Sequence, residues 1–100
     1  MPDPRIFPIP NVNDTFATAG VISTELVAAN PSRIGLDITN DSKEVVYIAR
    51  GNPAVIGSGN RLNASGGSYR IGTSNLFLGA INGICAGGQA NVCISEEIKP

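Results

Sequence analysis

One hundred residues make a single domain with one thin core, too small for a deep catalytic cleft within one subunit. Hydrophobic residues are 42% of the chain and charged ones only 15%, and seven basic against eight acidic residues leave a net charge of -1. Without a block of Lys and Arg there is no phosphate-tracking surface, which excludes nucleic acid as a partner. No apolar run reaches the length of a membrane-spanning helix, so no membrane partner is expected.

Residues 1–15 read as an extended arm. Prolines at 2, 4, 8 and 10 fix φ and push the preceding residues toward extended conformations. Ile6, Phe7 and Ile9 stand between them as anchors for a neighbour's groove or sheet edge, or for the chain's own domain. A segment so broken by proline does not read as a secretory signal, and the expectation is synthesis and retention in a cytosol.

Ala19 to Ala29 reads as the first strand, with Ile22, Thr24 and Leu26 on one face. Asn30-Pro31-Ser32-Arg33 follows as a turn, since Asn favours its first position and Pro presets φ at its second. In Arg33–Gly51, Ile34, Leu36 and Ile38 alternate with Gly35, Asp37 and Thr39, and the β-branched run Val45–Ile48 follows the polar cluster Asn40–Glu44. Two such runs about a short polar loop predict a β-hairpin. A five-residue loop puts Val46 and Ile48 on the core face, whereas a loop one residue shorter turns Tyr47 inward; the first register is favoured.

Beyond it, Ala54–Gly57 is a short apolar tetrad between glycine-rich turns, Ser68–Ile71 a strand, and Leu76–Ile81 an apolar run. Gly83–Ala86 and Ala90–Ser95 flank Gly87-Gly88-Gln89 as a second predicted hairpin, with Cys93 on the side opposite Ala90, Val92 and Ile94. Glu96–Pro100 reads as solvated. The organisation expected is an arm at 1–15, a domain at 16–97 and a tail at 98–100. The fold class is all-β: one small antiparallel β-sandwich or jelly-roll-like domain carrying an extended Pro-rich N-terminal arm.

Chemistry is hard to place on this chain, and no enzyme is expected. With no histidine, the commonest general base is missing. Cys85 and Cys93 are too few for a disulfide framework or a zinc site, and both are expected to be small, reduced packing residues. Asp41 and Glu44 sit in a turn, and Glu96 and Glu97 near the terminus, where carboxylates are solvated. The glycine-rich segments lack the Gly-Lys-Ser/Thr ending of a phosphate loop and serve as turns. No cofactor or metal is expected. So few charges suit a surface partly covered by copies of the chain or by a larger assembly.

One resemblance goes further. The succession Ala28-Ala29-Asn30-Pro31-Ser32-Arg33, Leu36-Asp37-Ile38-Thr39-Asn40 and Val46-Tyr47-Ile48 opens the pattern. Arg61-Leu62-Asn63-Ala64-Ser65-Gly66-Gly67-Ser68-Tyr69 and Asn75–Asn82 complete it. Over residues 20–97 it resembles small tailed-phage virion β-sandwich proteins, the capsid decoration (cement) and head-fibre or tail-associated modules. The resemblance implies a virion structural protein, made in the host cytoplasm, that binds the major capsid protein and stabilises the shell. The arm lies outside the resembling stretch, and Ile6, Phe7 and Ile9 are expected as its docking residues on their spacing between prolines. A homotrimer suits an icosahedral lattice. The competing expectation is a receptor- or carbohydrate-binding module on a head fibre or tail, using loops 51–60 and 63–68 with Asn60, Tyr69 and Phe77.

Overall fold

A computed structural model describes residues 11–72 and 74–99, and these described residues form eight strands and no helix. These are β1 (Asn11–Ala19), β2 (Thr24–Val27), β3 (Arg33–Asn40), β4 (Val46–Arg50), β5 (Asn60–Leu62), β6 (Ser68–Ile71), β7 (Ile81–Cys85) and β8 (Ala90–Ile98). Two four-stranded antiparallel sheets, ordered β1-β8-β3-β6 and β2-β7-β4-β5, pack face to face. The pairs β1/β8, β2/β7, β3/β6 and β4/β5 are nested, as if one long hairpin had been folded about the 51–59 loop and rolled into two layers. That is the jelly-roll order, and the all-β sandwich expected from turn spacing is the fold observed.

Alternation fills the core. Leu36 and Ile38 of β3, Val46 and Ile48 of β4, Ile71, Ile81, and Ala90, Val92 and Ile94 of β8 point between the sheets and are buried. Val46 and Ile48 therefore face inward, the favoured orientation, and Tyr47 faces outward opposite Ile84, although Thr39 pairs with Cys93 and Ser68 and not with Val45 as a five-residue hairpin loop would have it.

The predicted hairpin at 33–51 does not exist as a ladder. β3 lies in one sheet and β4 in the other, and residues 41–45 are a corner between layers. Asn40, fully buried, organises that corner: its Nδ2 donates toward the carbonyls of Glu44 (2.6 Å), Leu62 (3.1 Å) and Asn63 (3.2 Å), and its Oδ1 accepts from Ser42 Oγ at 2.6 Å. The polar cluster spends its hydrogen bonds on the β5–β6 connection instead of closing a two-strand loop. The second predicted hairpin fails for the same reason, since β7 and β8 belong to different sheets. The ladder between consecutive strands is β4/β5.

Two further boundaries are corrected. Ala19–Ala29 is not one strand: β1 ends at Ala19, the chain crosses between sheets at 20–23, and β2 starts at Thr24. Ile22 is consequently 77% exposed, whereas a bulge between Glu25 and Val27 buries both Leu26 and Val27. Residues 11–15, read as part of the arm, are strand, in register with β8 from Asn11↔Ile98 to Thr15↔Ile94. At the other terminus Glu96 is buried and not solvated.

The Asn30–Arg33 turn is present, with Arg33 N donating to Asn30 O (3.2 Å) and Ser32 N to Asn30 Oδ1 (3.0 Å). It delivers Arg33 into the interior at 1% exposure. There Nε meets Glu96 Oε2 at 2.7 Å, Nη1 donates to the carbonyls of Phe77 (2.7 Å) and Gly79 (2.9 Å), and Nη2 to that of Ala28 (2.8 Å). The apolar run 76–80 is thus a loop held by its carbonyls, and β7 begins only at Ile81. Strand β3 carries a buried polar residue at each end, Arg33 and Asn40, each gathering the loops at its end of the sandwich.

Candidate functional site

Ile6, Phe7 and Ile9 lie outside the described residues. What those residues lead into is β1, the end strand of its sheet. From Asn11 to Phe16 this strand is exposed at every residue, because the facing strand β2 is only four residues long and leaves the N-terminal half of β1 uncovered. Val12 and Phe16 point outward, 49% and 73% exposed.

The register places them on a defined surface. Across the outer face run the rows Phe16–Cys93–Thr39–Ser68 and Asp14–Ser95–Asp37–Arg70, with Val12, Glu97 and Gly35 in a third. Small side chains in the middle strands leave a shallow trough of about 310 Å³ lined by Asp14, Thr15, Asp37, Thr39, Cys93 and Ser95. At the corner end it meets a larger polar hollow of about 530 Å³ over Asp41, Ser42, Lys43, Ser65 and Gly66, with Thr39 and Cys93 common to both.

On this face one cation meets two of the carboxylates. Arg70 bridges Glu97 Oε1 (2.8 Å) and Asp37 Oδ2 (3.0 Å); its bond to Glu97, opposed by burial and aided by the charges of Asp37 and Glu97, raises the guanidinium above its usual range. Arg70 therefore remains a cation shared by two carboxylates, and these half-exposed bridges hold β3, β6 and β8 in register more than they add stability.

The thiols differ. Cys85 is in the core, its Sγ near Ala19 O and Gly87 O at 3.5 Å, and burial pushes its pKa up, with the Gly87 bond opposing and the Glu44 charge adding. Cys93 is exposed on the outer face, as alternation required, so it is not the packing residue expected. Among the described residues no three of Cys, Asp and Glu converge in a metal-holding group.

The parts of a sugar site do not come together. Tyr69 packs against the core with the Arg50 guanidinium 6.0 Å from its ring centroid. The Phe77 ring lies against Gly51 and Gly79 and also packs on the core. Asn60 lines a separate hollow with Arg50, Asn52, Val55 and Ser58, and no aromatic side chain lines it.

The 51–59 loop lies over the other sheet, Asn52 O accepting from Asn82 Nδ2 (2.7 Å) and Ala54 N donating to Ser23 Oγ (2.8 Å). The residues beside that bonded pair in sequence, Val21, Ile22, Val55 and Ile56, are all exposed. Sequence reasoning singled out neither these exposed residues nor Val12 and Phe16. The period-2 signal in 11–19 was present, but the inward positions Asn13, Thr15, Ala17 and Ala19 are too small or polar to announce a core face. No protein-family model, characterised protein or solved structure matches this chain.

Proposed function

We propose that this chain is a virion structural protein of the capsid-decoration (cement) kind, which binds the assembled shell and stabilises it. One observation carries the reading: the end strand β1, exposed along its first six residues with Val12 and Phe16 outward, continues directly from the anchor-bearing segment Ile6, Phe7, Ile9. Val12 and Phe16 thereby put exposed apolar groups on the outer face of a small, nearly neutral module. The strand-and-turn resemblance to small phage virion proteins points the same way. A repeated lattice offers many identical sites, so modest per-site affinity suffices when copies act together as a trimer.

The test is co-sedimentation with assembled shells. The full chain is expected to pellet at a fixed ratio to the major capsid protein, and a chain with Ile6, Phe7 and Ile9 changed to Ser is expected to stay in the supernatant while remaining folded. Truncation belongs before Asn11, because residues 11–15 pair with β8. Glycan binding by the full chain without shell binding would replace this reading with the receptor module.

A further inference from the structure

We infer that the outer edge of β1 pairs antiparallel with the same strand of a second copy, about a two-fold axis at Thr15, and joins two sandwiches through one continuous sheet. The contact is between copies and involves no shell, so it goes beyond the decoration reading and is tested separately from it.

The edge is unusually open. β1 is nine residues long, pairs with β8 without a bulge over all nine positions, and has no other strand beside it among the described residues. Natural edge strands are protected by Lys, Pro, a bulge or shortness. NVNDTFATA has none of these, and Asp14 is its one charge. Such an edge presents unpaired N–H and C=O groups over about 30 Å, a row that an added extended strand satisfies.

The strand is complementary to itself. Full antiparallel overlap, with Asn11 against Ala19 at either end, puts Thr15 opposite Thr15 on the axis and Asp14 opposite Phe16. Thr–Thr is a favourable cross-strand pair, whereas like charges directly opposite are unfavourable. In this register the single carboxylate does not face its own copy. On the outer face, the exposed Phe16 stands diagonal to both Val12 and Phe16 of the second copy, within reach of an aromatic side chain. Sliding the pairing by two residues one way sets Asp14 against itself. The other way leaves Val12 outside the seam.

The second layer leaves room for this. β2 is four residues long and leaves the N-terminal half of β1 uncovered. Antiparallel pairing sets that half beside the covered half of the other β1, so the two β2 strands stand at opposite ends of the seam. The pairing takes the backbone edge and leaves the outer face of the sheet open. An isologous contact closes at two copies, and combined with a three-fold axis it closes at six.

Native mass spectrometry of the full chain, alone and over about 1–100 µM because a one-strand contact is small, tests the seam. The wild type is expected at an even number of copies, two, or six where trimers form. Thr15→Lys is expected at half that number, because it sets two ammonium groups opposite each other on the axis. Thr15 is exposed, so amide exchange in β3 should stay unchanged. In a Cys93→Ser background, Thr15→Cys is expected to form a disulfide-linked dimer on oxidation with diamide. Thr18→Cys, also exposed but opposite Val12 of the second copy, should stay unlinked. A wild type at an odd number of copies, a Thr15→Lys that keeps the wild-type number, or equal cross-linking of the two cysteine variants would overturn the pairing. An odd-numbered wild type that still decorates shells removes this inference and leaves the decoration reading.

Discussion

Arg33 and Glu96 form a buried ion pair, Nε to Oε2 at 2.7 Å, with the Arg33 side chain fully covered and that of Glu96 11% exposed. They sit at the starts and ends of neighbouring strands, far apart in sequence, and the same guanidinium binds three loop carbonyls. Each of its three nitrogens has an acceptor, and no buried side-chain N or O among the described residues lacks a partner. Removing one member of such a pair leaves an uncompensated charge and costs about 3–5 kcal/mol. Arg33→Met is expected to lower the urea midpoint more than Glu96→Gln, because it also orphans the carbonyls of Ala28, Phe77 and Gly79. Arg33→Lys should rescue little, since one ammonium cannot replace a planar fork reaching four acceptors. Equal midpoints for Arg33→Met and wild type, at unchanged m-value, would show that the pair is not a structural plug.

The opposite end of β3 makes a parallel prediction. Asn40→Ala leaves the carbonyls of Glu44, Leu62 and Asn63 without their donor and should cost about 1–3 kcal/mol. Asn40→Asp should cost more, since it turns a carboxylate toward those same carbonyls. Gly67 closes the corner from the other side, and a Cβ there would collide with the backbone of Asn63, which cannot swing away as a side chain can. Gly67→Ala should therefore lower Tm as well, whereas Gly20→Ala, with nothing within 4 Å of the added carbon, should lose far less. Thermal melts of the four variants check the order.

What could be read from the sequence was local. The alternation of Leu36 and Ile38, the inward register of Val46 and Ile48, the Asn30–Arg33 turn and the outward Cys93 all depend on period two and on turn chemistry, and the structure has them. The pairing of strands was not legible, because a hairpin loop and a sandwich corner use the same residues; Asn40–Glu44 reads identically whether the next strand lies beside β3 or across from it. Arg33 looked like one scattered arginine among five, and only Glu96 and the loop carbonyls of residues 28, 77 and 79 make it an interior residue. The exposed side of β1 was hidden behind the prolines that precede it.

The two thiols should separate cleanly. In the native protein an alkylating reagent is expected to modify Cys93 alone, and Cys85 only on unfolding. Burial also makes the Cys85 thiol a weaker acid when folded than when unfolded. At pH values below its ordinary 9.0 both states hold the proton and its contribution is complete. As pH rises beyond that value, the unfolded chain releases the proton first, so stability falls. Comparing urea midpoints of wild type and Cys85→Ala through this window isolates the effect from that of Tyr and Lys. The wild type should lose stability with pH more steeply, and identical slopes would refute the assignment.

Phe16 offers the most direct separation of folding from binding. Its side chain is outside the core, in line with Cys93, so Phe16→Ser should move Tm little, within about 0.5 kcal/mol of stability as for other exposed sites. An exposed aromatic that is buried on contact commonly contributes about 2 kcal/mol, or roughly 30-fold in affinity. In a multivalent attachment that loss is multiplied over the copies engaged. Phe16→Ser is therefore expected to abolish co-sedimentation with shells at concentrations where the wild type saturates them, with Val12→Ser weaker because Val12 offers less apolar surface. Ile22→Ser, equally exposed but on the 20–23 crossing beside the 51–59 loop, is the matched control and should bind as wild type does. If Ile22→Ser releases the protein and Phe16→Ser does not, the adhesive side is the one that carries Ile22, and β1 faces away from the shell.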